Sequence, residues 1–279
     1  MRLYFERLGE GPPAYFFLHG FLGSGDNWRS IARGLEIGGT FYLIDARNHG
    51  RSPHASTHRY PDMAQDLLEL MESEALSQAH LLGHSMGGKT AMYVALHFPQ
   101  QVSSLVVVDI APRSYARGHD DLLEALSAVN LNVSRREEVE QQLAGRISDT
   151  AVRLFILKNL VRNEKGQFQW RINLSVLRQE YEYVLAEVEG PPYEGPVLFI
   201  KGEYSLYIRP SDEEHIYRLF PKAIVETIPK AGHWVHAENP MALLAVLRRF
   251  WKLCLECGGG WWLCFLRGGL GASAYGAGA

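Results

Sequence analysis

The amino-acid sequence predicts an α/β fold with a mostly parallel central sheet, flanked by helices and interrupted by one helical insertion. Short, continuously apolar runs alternate with amphipathic stretches, which is typical of right-handed parallel βαβ units. Runs that are apolar throughout suit strands covered on both faces. The alternation stops over residues 113–190, which are rich in Arg, Glu, Gln and Leu. We therefore expect a core of residues 1–112 and 191–257 and a helical lid of residues 113–190.

The elements before the insertion follow from burial and periodicity. The helix over Pro61–Glu74 is the clearest, because its apolar side chains recur at helical spacing on one face. In chain order we expect the strand Ala14–Leu18, the helix Asn27–Leu35, the strand Phe41–Asp45, the helix Pro61–Glu74, the strand Ala79–Gly83, the helix Gly87–Phe98 and the strand Leu105–Asp109.

The same alternation resumes after the insertion, whose end is marked by Gly-Pro pairs. The expected elements are the strand Val197–Lys201, a helix near Asp212–Phe220, the strand Ala223–Ile228 and the helix Pro240–Leu255. Residues 258–279 combine glycine runs with small residues and predict a disordered tail outside the domain.

Composition argues against a nucleic-acid-binding, membrane-spanning or secreted protein. The 279 residues carry a formal net charge of -3 without a basic stripe, so no nucleic-acid partner is expected. No apolar run reaches about 18 residues, which argues against a membrane span. Met1–Glu10 resembles neither a signal nor a transit peptide, and a cytoplasmic protein is predicted. Cys254 and Cys257 form a CxxC at a helix end, where neither a redox site nor a metal site is expected.

One short motif identifies a candidate nucleophile. Gly83–Gly87, with the sequence GHSMG, matches the G-x-S-x-G pattern and lies between a predicted strand and a predicted helix. A nucleophile on a tight, strained turn needs small residues two positions to either side. In this context the motif predicts the α/β-hydrolase fold with Ser85 as the catalytic nucleophile.

A second loop predicts the oxyanion hole. His19–Gly20–Phe21 follows the strand Ala14–Leu18, and such a loop can bring the Phe21 N–H beside that of Met86. The Met86 N–H lies at a helix N-terminus, which favours an anion. His19 itself is expected to hold the loop by hydrogen bonds.

The candidate general base is His233, in the sequence AGHW after the last strand. A nucleophile that precedes its histidine in the chain agrees with the hydrolase arrangement. His236, three residues later, is the rival, and a surface histidine without catalytic role is the alternative for either residue.

The residues alone leave two candidates for the acid of the triad, Asp109 and Glu203. The usual position after the strand Val197–Lys201 is occupied by Ser205, which cannot orient an imidazole by charge. Asp109 closes the preceding strand and could reach His233 from there, although an aspartate that only caps the turn before Pro112 has the same pattern. Glu203 is the fallback acid.

Several longer stretches resemble the YbfF-type acyl esterases, which include mitochondrial α/β-hydrolase-domain relatives. The similarity runs from about residue 3 to residue 252. The stretches that carry it are HGFLGSGDNW (His19–Trp28), DARNHGRSPH (Asp45–His54), GHSMGGKTAM (Gly83–Met92), VVVDIAP (Val106–Pro112) and AGHWVHAENP (Ala231–Pro240).

The resemblance implies further properties. The family takes its acid from the VDI-P strand end, which favours Asp109 over Glu203. It also implies a helical lid, activity on small acyl esters or acyl thioesters, and a hydroxyl contribution of Ser24 to the oxyanion pocket. The sequence beyond Leu253 departs from the family pattern.

We therefore expect a serine esterase or thioesterase that works through an acyl-enzyme on Ser85, with His233 as base and Asp109 as acid. Phe21 and Met86 are the expected oxyanion donors, and neither cofactor nor metal is implied. A lyase of the menaquinone pathway is the enzymatic alternative, because HGFLGSGDNW also resembles that group. A non-catalytic binding protein of the same fold is the other alternative. The sequence does not reveal partner proteins.

Overall fold

The structure, a computed structural model, describes residues 1–257, and a seven-stranded sheet forms its centre. The strands of this sheet are β1 (Phe5–Glu10), β2 (Ala14–Leu18), β3 (Gly39–Ile44), β4 (Ala79–His84), β5 (Val102–Val108), β8 (Val197–Gly202) and β9 (Ala223–Ile228). Their order in the sheet is β1-β3-β2-β4-β5-β8-β9, with β1 antiparallel to β3 and the other pairs parallel.

Helices cover both faces of the sheet. The helices of the core are α1 (Arg29–Gly34), α2 (Tyr60–Ser73), α3 (Met86–His97), α9 (Glu213–Leu219), α10 (Val235–Glu238) and α11 (Pro240–Cys257). Successive residues of β2 point to opposite faces, so Phe16 joins the apolar cluster under α2 and α3 while Phe17 packs with Trp28 and Trp251. Both faces are therefore apolar, which explains the uninterrupted hydrophobic runs and confirms the predicted fold class.

The antiparallel edge strand β1 does not follow from the sequence pattern. Its side chains are only half-buried or exposed, so Phe5–Glu10 lacks the continuous apolar run that marks the inner strands. Tertiary pairing with β3, rather than local sequence, makes this segment a strand.

The insertion between β5 and β8 is mostly helical, as the sequence predicts. Its helices are α4 (Asp120–Ser127), α5 (Arg136–Ala144), α6 (Thr150–Leu157), α7 (Leu174–Gln179) and α8 (Tyr181–Leu185). It also contains two short strands that the sequence does not predict, since β6 (Leu160–Arg162) and β7 (Phe168–Trp170) form an antiparallel hairpin. Strands of three residues are too short to show a period of two in the sequence.

One buried lysine joins the two ends of the insertion to the core. Lys89 of α3 donates from Nζ to the carbonyl of Arg113 at 2.8 Å and to those of Leu185 and Ala186 at 3.3 and 2.5 Å. Burial, followed by the charge of Arg113, lowers the pKa of Lys89 to about 7. The insertion therefore leaves and re-enters the core beside a single side chain.

Two expectations for the C-terminus lie outside the described residues: the disordered tail of residues 258–279 and the side chain of Cys257 in the CxxC. Residues 1–257 contain no helix with the length and apolar composition of a membrane span, and no cluster of three or more His, Cys, Asp or Glu side chains placed to bind a metal ion.

Candidate active site

The candidate site lies at the carboxyl edge of the parallel strands, where the loops after β2, β4, β5, β8 and β9 meet. Hydrogen bonds of the sheet extend into these loops, because the Ser85 N–H donates to Val108 O at 3.0 Å and the Asp109 N–H to Ile200 O at 2.7 Å. The sheet itself thus fixes two of the predicted site residues. Open α/β sheets characteristically bind ligands at this edge.

Ser85 occupies the turn between β4 and α3 in a strained conformation, with φ 51° and ψ -118°. The flanking glycines are required by close backbone contacts. A Cβ on Gly83 would lie 2.2 Å from Gly87 O, and one on Gly87 would lie 2.5 Å from Leu18 O. The turn therefore has no room for a side chain at either position, which is the reason predicted from the sequence for the two glycines of the G-x-S-x-G pattern.

His233 is held by three contacts in the loop after β9. Its Nδ1 lies 2.8 Å from Asp109 Oδ2, its carbonyl accepts a hydrogen bond from His84 Nε2 at 2.8 Å, and its ring stacks on Tyr207 with centroids 3.8 Å apart. A carboxylate only accepts, so Nδ1 carries the proton and Nε2 is free to act as a base.

Asp109 is fully buried and accepts three hydrogen bonds. Oδ1 accepts from the Gly202 N–H at 3.0 Å, and Oδ2 accepts from Ser205 Oγ at 2.5 Å as well as from His233. Like Ser85, Asp109 has a positive φ, of 54°. In the sequence, Ser205 is notable only because it stands where the acid of the triad is usually found. In the structure its hydroxyl donates to Asp109, the carboxylate at the end of the neighbouring strand.

Neither rival residue occupies an equivalent position. The Glu203 side chain is exposed and accepts from the Lys230 N–H at 2.7 Å. The His236 ring lies 4.9 Å from that of Trp28 and 5.0 Å from that of His84, and burial lowers its pKa to about 4. Of the two histidines, only His233 contacts a carboxylate.

Ser85 and His233 line the same cavity, although no hydrogen bond joins their side chains in the described part of the chain. Such bonds are often long before substrate is bound and tighten in the complex. The structure thus connects the candidate base directly to the candidate acid and brings the candidate nucleophile to the same cavity.

The two residues predicted to supply the oxyanion donors lie beside Ser85 in the larger of its two cavities. Phe21 and Met86 both line a cavity with Ser85, and among the hydrogen bonds of residues 1–257 none uses either backbone N–H as its donor. His19 holds the loop as expected, since Nε2 accepts from the Ala46 N–H at 3.0 Å and Nδ1 contacts Gly20 O at 2.8 Å.

Ser24 lies at the start of a short turn, where its N–H donates to Asn27 Oδ1 at 2.8 Å. It is absent from the residues that line the two cavities beside Ser85. Its contribution to the oxyanion pocket stays a prediction.

Two cavities meet at Ser85, Phe21 and His119. The larger cavity, of about 310 Å³, is formed mainly by apolar and aromatic side chains of the core and the insertion, including Tyr60, Ile110, Tyr115, Val184 and Leu206. The smaller cavity, of about 110 Å³, contains His233 and is closed by Leu122, Val152, Phe155 and Trp234. A substrate bound across Ser85 would therefore have room on both sides of its reacting carbonyl.

Known proteins are similar to this chain in sequence and architecture. A family described as alpha/beta hydrolase fold matches residues 13–240. The sn-1-specific diacylglycerol lipase ABHD11 of Mus musculus is 40% identical over 248 residues, covering 85% of this chain and 80% of that protein. Esterase YbfF of Escherichia coli is 35% identical over 235 residues, covering 84% and 91%. A solved structure of a marine microorganism esterase superposes with a TM-score of 0.87 at 40% identity, covering 89% of this chain and 99% of that chain.

Proposed function

The chain belongs to the alpha/beta hydrolase family and is a carboxylic ester hydrolase, and from that premise we propose that it cleaves small acyl esters or thioesters through a Ser85–His233–Asp109 triad. The reaction passes through an acyl-enzyme on Ser85. The observation that carries this proposal is the 2.8 Å contact between His233 Nδ1 and a buried Asp109 that accepts two further hydrogen bonds.

The mechanism follows from the tautomer that Asp109 imposes on His233. Nε2 takes the proton of Ser85 Oγ as the oxygen attacks the acyl carbon, and Asp109 stabilises the imidazolium that forms. The negative charge on the carbonyl oxygen is bound by the N–H groups of Phe21 and Met86, each worth about 10²- to 10³-fold in rate.

Collapse of the tetrahedral intermediate breaks the bond between the acyl carbon and the leaving oxygen or sulfur. His233 returns its proton to that atom, which leaves as an alcohol or thiol. A water molecule then attacks the acyl carbon with His233 again acting as base, and the acid is released while Ser85 regains its proton.

The two cavities suggest how a substrate is oriented. Because His233 must protonate the leaving group, we assign the leaving group to the smaller cavity, which contains His233. The acyl chain then occupies the larger, mainly apolar cavity under the insertion, which acts as a lid. The mouse relative is named for cleaving diacylglycerol, so a partial glyceride is one candidate substrate.

The alternatives have less support. A menaquinone-pathway lyase would take its acid from the loop after β8, where Ser205 instead bonds to Asp109. A non-catalytic binding protein has no reason to retain a strained Ser85 next to a His–Asp pair. Cytoplasmic location and the absence of a nucleic-acid partner stay predictions.

A substrate profile tests the proposal. p-Nitrophenyl esters of increasing acyl length and the matching acyl-CoA thioesters should be hydrolysed by the wild-type protein but not by folded Ser85→Ala. Activity should decline once the acyl chain outgrows the larger cavity. Absence of hydrolysis across both series, or equal hydrolysis by Ser85→Ala, would refute the assignment.

A further inference from the structure

A histidine outside the proposed triad lines both cavities beside Ser85. His119 precedes α4, the first helix of the insertion, and its ring is half-buried between the larger and the smaller cavity. The ring centroid lies 6.1 Å from that of Phe21, whose N–H is a proposed oxyanion donor. The mechanism above assigns His119 no role.

The contacts of Tyr181 fix which nitrogen of His119 carries a proton. The hydroxyl oxygen of Tyr181 accepts from the backbone N–H of His119 at 3.1 Å. The same hydroxyl lies 2.7 Å from His119 Nδ1, a separation typical of an O–H donor and shorter than the usual N–H···O distance of about 2.9 Å. The phenolic proton is therefore donated to Nδ1.

Nδ1 of His119 is therefore an acceptor, and the proton of the neutral ring resides on Nε2. Burial, followed by the charge of His233, lowers the pKa of His119, which keeps the ring neutral near pH 7. Among the hydrogen bonds of residues 1–257, none uses Nε2 of this ring. The cavities thus contain a fixed donor without a protein acceptor.

We propose that His119 is a specificity-determining residue, whose Nε2–H donates a hydrogen bond to an oxygen in the alcohol portion of the ester. The alcohol side is favoured because His119 shares the smaller cavity with His233, the group that protonates the leaving alcohol. The inference rests on the proposed ester hydrolysis. It names the substrate class as esters whose alcohol carries a second oxygen close to the scissile bond, such as esters of glycols and of glycerol.

The Nε2–H of His119 should favour an alcohol that carries an acceptor oxygen over one that does not. An all-carbon alcohol would cover the Nε2–H without offering it an acceptor, and a buried donor left unpaired is costly. An ether, ester or hydroxyl oxygen at the same position removes that cost. A single neutral hydrogen bond of this kind corresponds to a preference of about three- to tenfold in kcat/KM.

Two esters of the same size isolate this contact. 2-Methoxyethyl butyrate and n-butyl butyrate differ only in an ether oxygen that replaces a methylene, and comparing the same pair across variants cancels their intrinsic reactivity. The ratio of their kcat/KM values should fall about three- to tenfold in His119→Phe. Tyr181→Phe keeps the ring that stacks on Phe21 but removes the hydroxyl that holds the proton of His119 on Nε2. Because the ring of His119 can then adopt either tautomer, the ratio should fall by a smaller factor.

Tyr183→Phe is the matched control, because Tyr183 lies on the same helix and contacts Arg59 through its ring face rather than its hydroxyl. Its ratio should equal that of the wild type. An unchanged ratio in His119→Phe would overturn the inference. If the unchanged ratio came with an equal loss of kcat/KM for both esters, His119 would be an oxyanion donor instead.

A spectroscopic measurement tests the donor without relying on hydrolysis. Heteronuclear NMR correlations between the imidazole nitrogens and the carbon-bound ring protons should show His119 protonated at Nε2 and accepting at Nδ1. In Tyr181→Phe the two nitrogens should become more alike. A proton on Nδ1 in the wild type would refute the inference, whereas loss of Ser85-dependent hydrolysis would refute the proposed function.

Discussion

The substitution Asp109→Asn tests the hydrogen bonds that orient the base. Asp109 only accepts, from the Gly202 N–H, from Ser205 Oγ and from His233 Nδ1. If the asparagine oxygen keeps the bond to Gly202, its NH₂ group faces His233 and makes Nδ1 an acceptor. The proton then moves to Nε2, which can no longer accept one from Ser85.

The opposite amide orientation is no better. It restores an acceptor for His233 but directs the NH₂ group at the Gly202 N–H, so that two donors meet where the native side chain is fully buried. In the triad of serine proteases the same change costs about 10⁴ in turnover. We expect Asp109→Asn to lower kcat by about 10²-fold or more and to leave KM nearly unchanged, since substrate binding does not use the carboxylate.

Steady-state hydrolysis of p-nitrophenyl butyrate by folded variants measures this effect, with circular dichroism and thermal melting to confirm folding. Glu203→Gln is the control, because Glu203 is an exposed carboxylate that accepts a hydrogen bond from the Lys230 backbone and, within residues 1–257, from no catalytic candidate. Its kcat should change by less than about tenfold. If Glu203→Gln loses more activity than Asp109→Asn, the assignment of the acid is wrong.

Two further predictions concern the hydrogen bond between Ser205 and Asp109 and the stability of the fold at acidic pH. Ser205→Ala removes one donor to Asp109 and should lower kcat about three- to tenfold with little change in KM; a kcat equal to that of the wild type would show that the bond contributes nothing. Burial lowers the pKa of His58 to about 3 and of His80 to about 4, from the ordinary 6.5. The unfolded chain therefore binds more protons than the folded one as the pH falls below 6.5, and the free energy of unfolding should drop by about 1.4 kcal/mol per pH unit for each histidine. Denaturant titrations between pH 7 and pH 4 should show this slope, made shallower by His80→Asn; stability that rises on acidification would contradict it.

The inner strands of the sheet could be predicted because strands buried on both faces are continuously apolar in sequence. Ala14–Leu18 and Ala223–Ile228 form strands with the predicted bounds. The edge strand Phe5–Glu10 and the hairpin in the insertion could not be predicted, because half-exposed or three-residue strands lack a distinctive pattern.

The candidate site shows a similar division. The motif around Ser85 has a local cause, the backbone contacts of Gly83 and Gly87, and can be recognised from sequence alone. The contact between Ser205 and Asp109 joins loops after two different strands, 96 residues apart, so spacing within either loop gives no sign of it. His119 left no signal at all, because its role depends on where α8 places the Tyr181 hydroxyl.

Covalent labelling of Ser85 tests the central claim most directly. A fluorophosphonate probe mimics the acyl substrate and reacts with a serine that a neighbouring histidine activates. The wild-type protein should gain one adduct, which peptide mass spectrometry should map to Ser85, while folded Ser85→Ala should gain none and lose ester hydrolysis. An unlabelled wild-type protein, or a folded Ser85→Ala that keeps about a tenth of wild-type turnover, would contradict the account, since oxyanion stabilisation alone gives only about 10³- to 10⁴-fold over water.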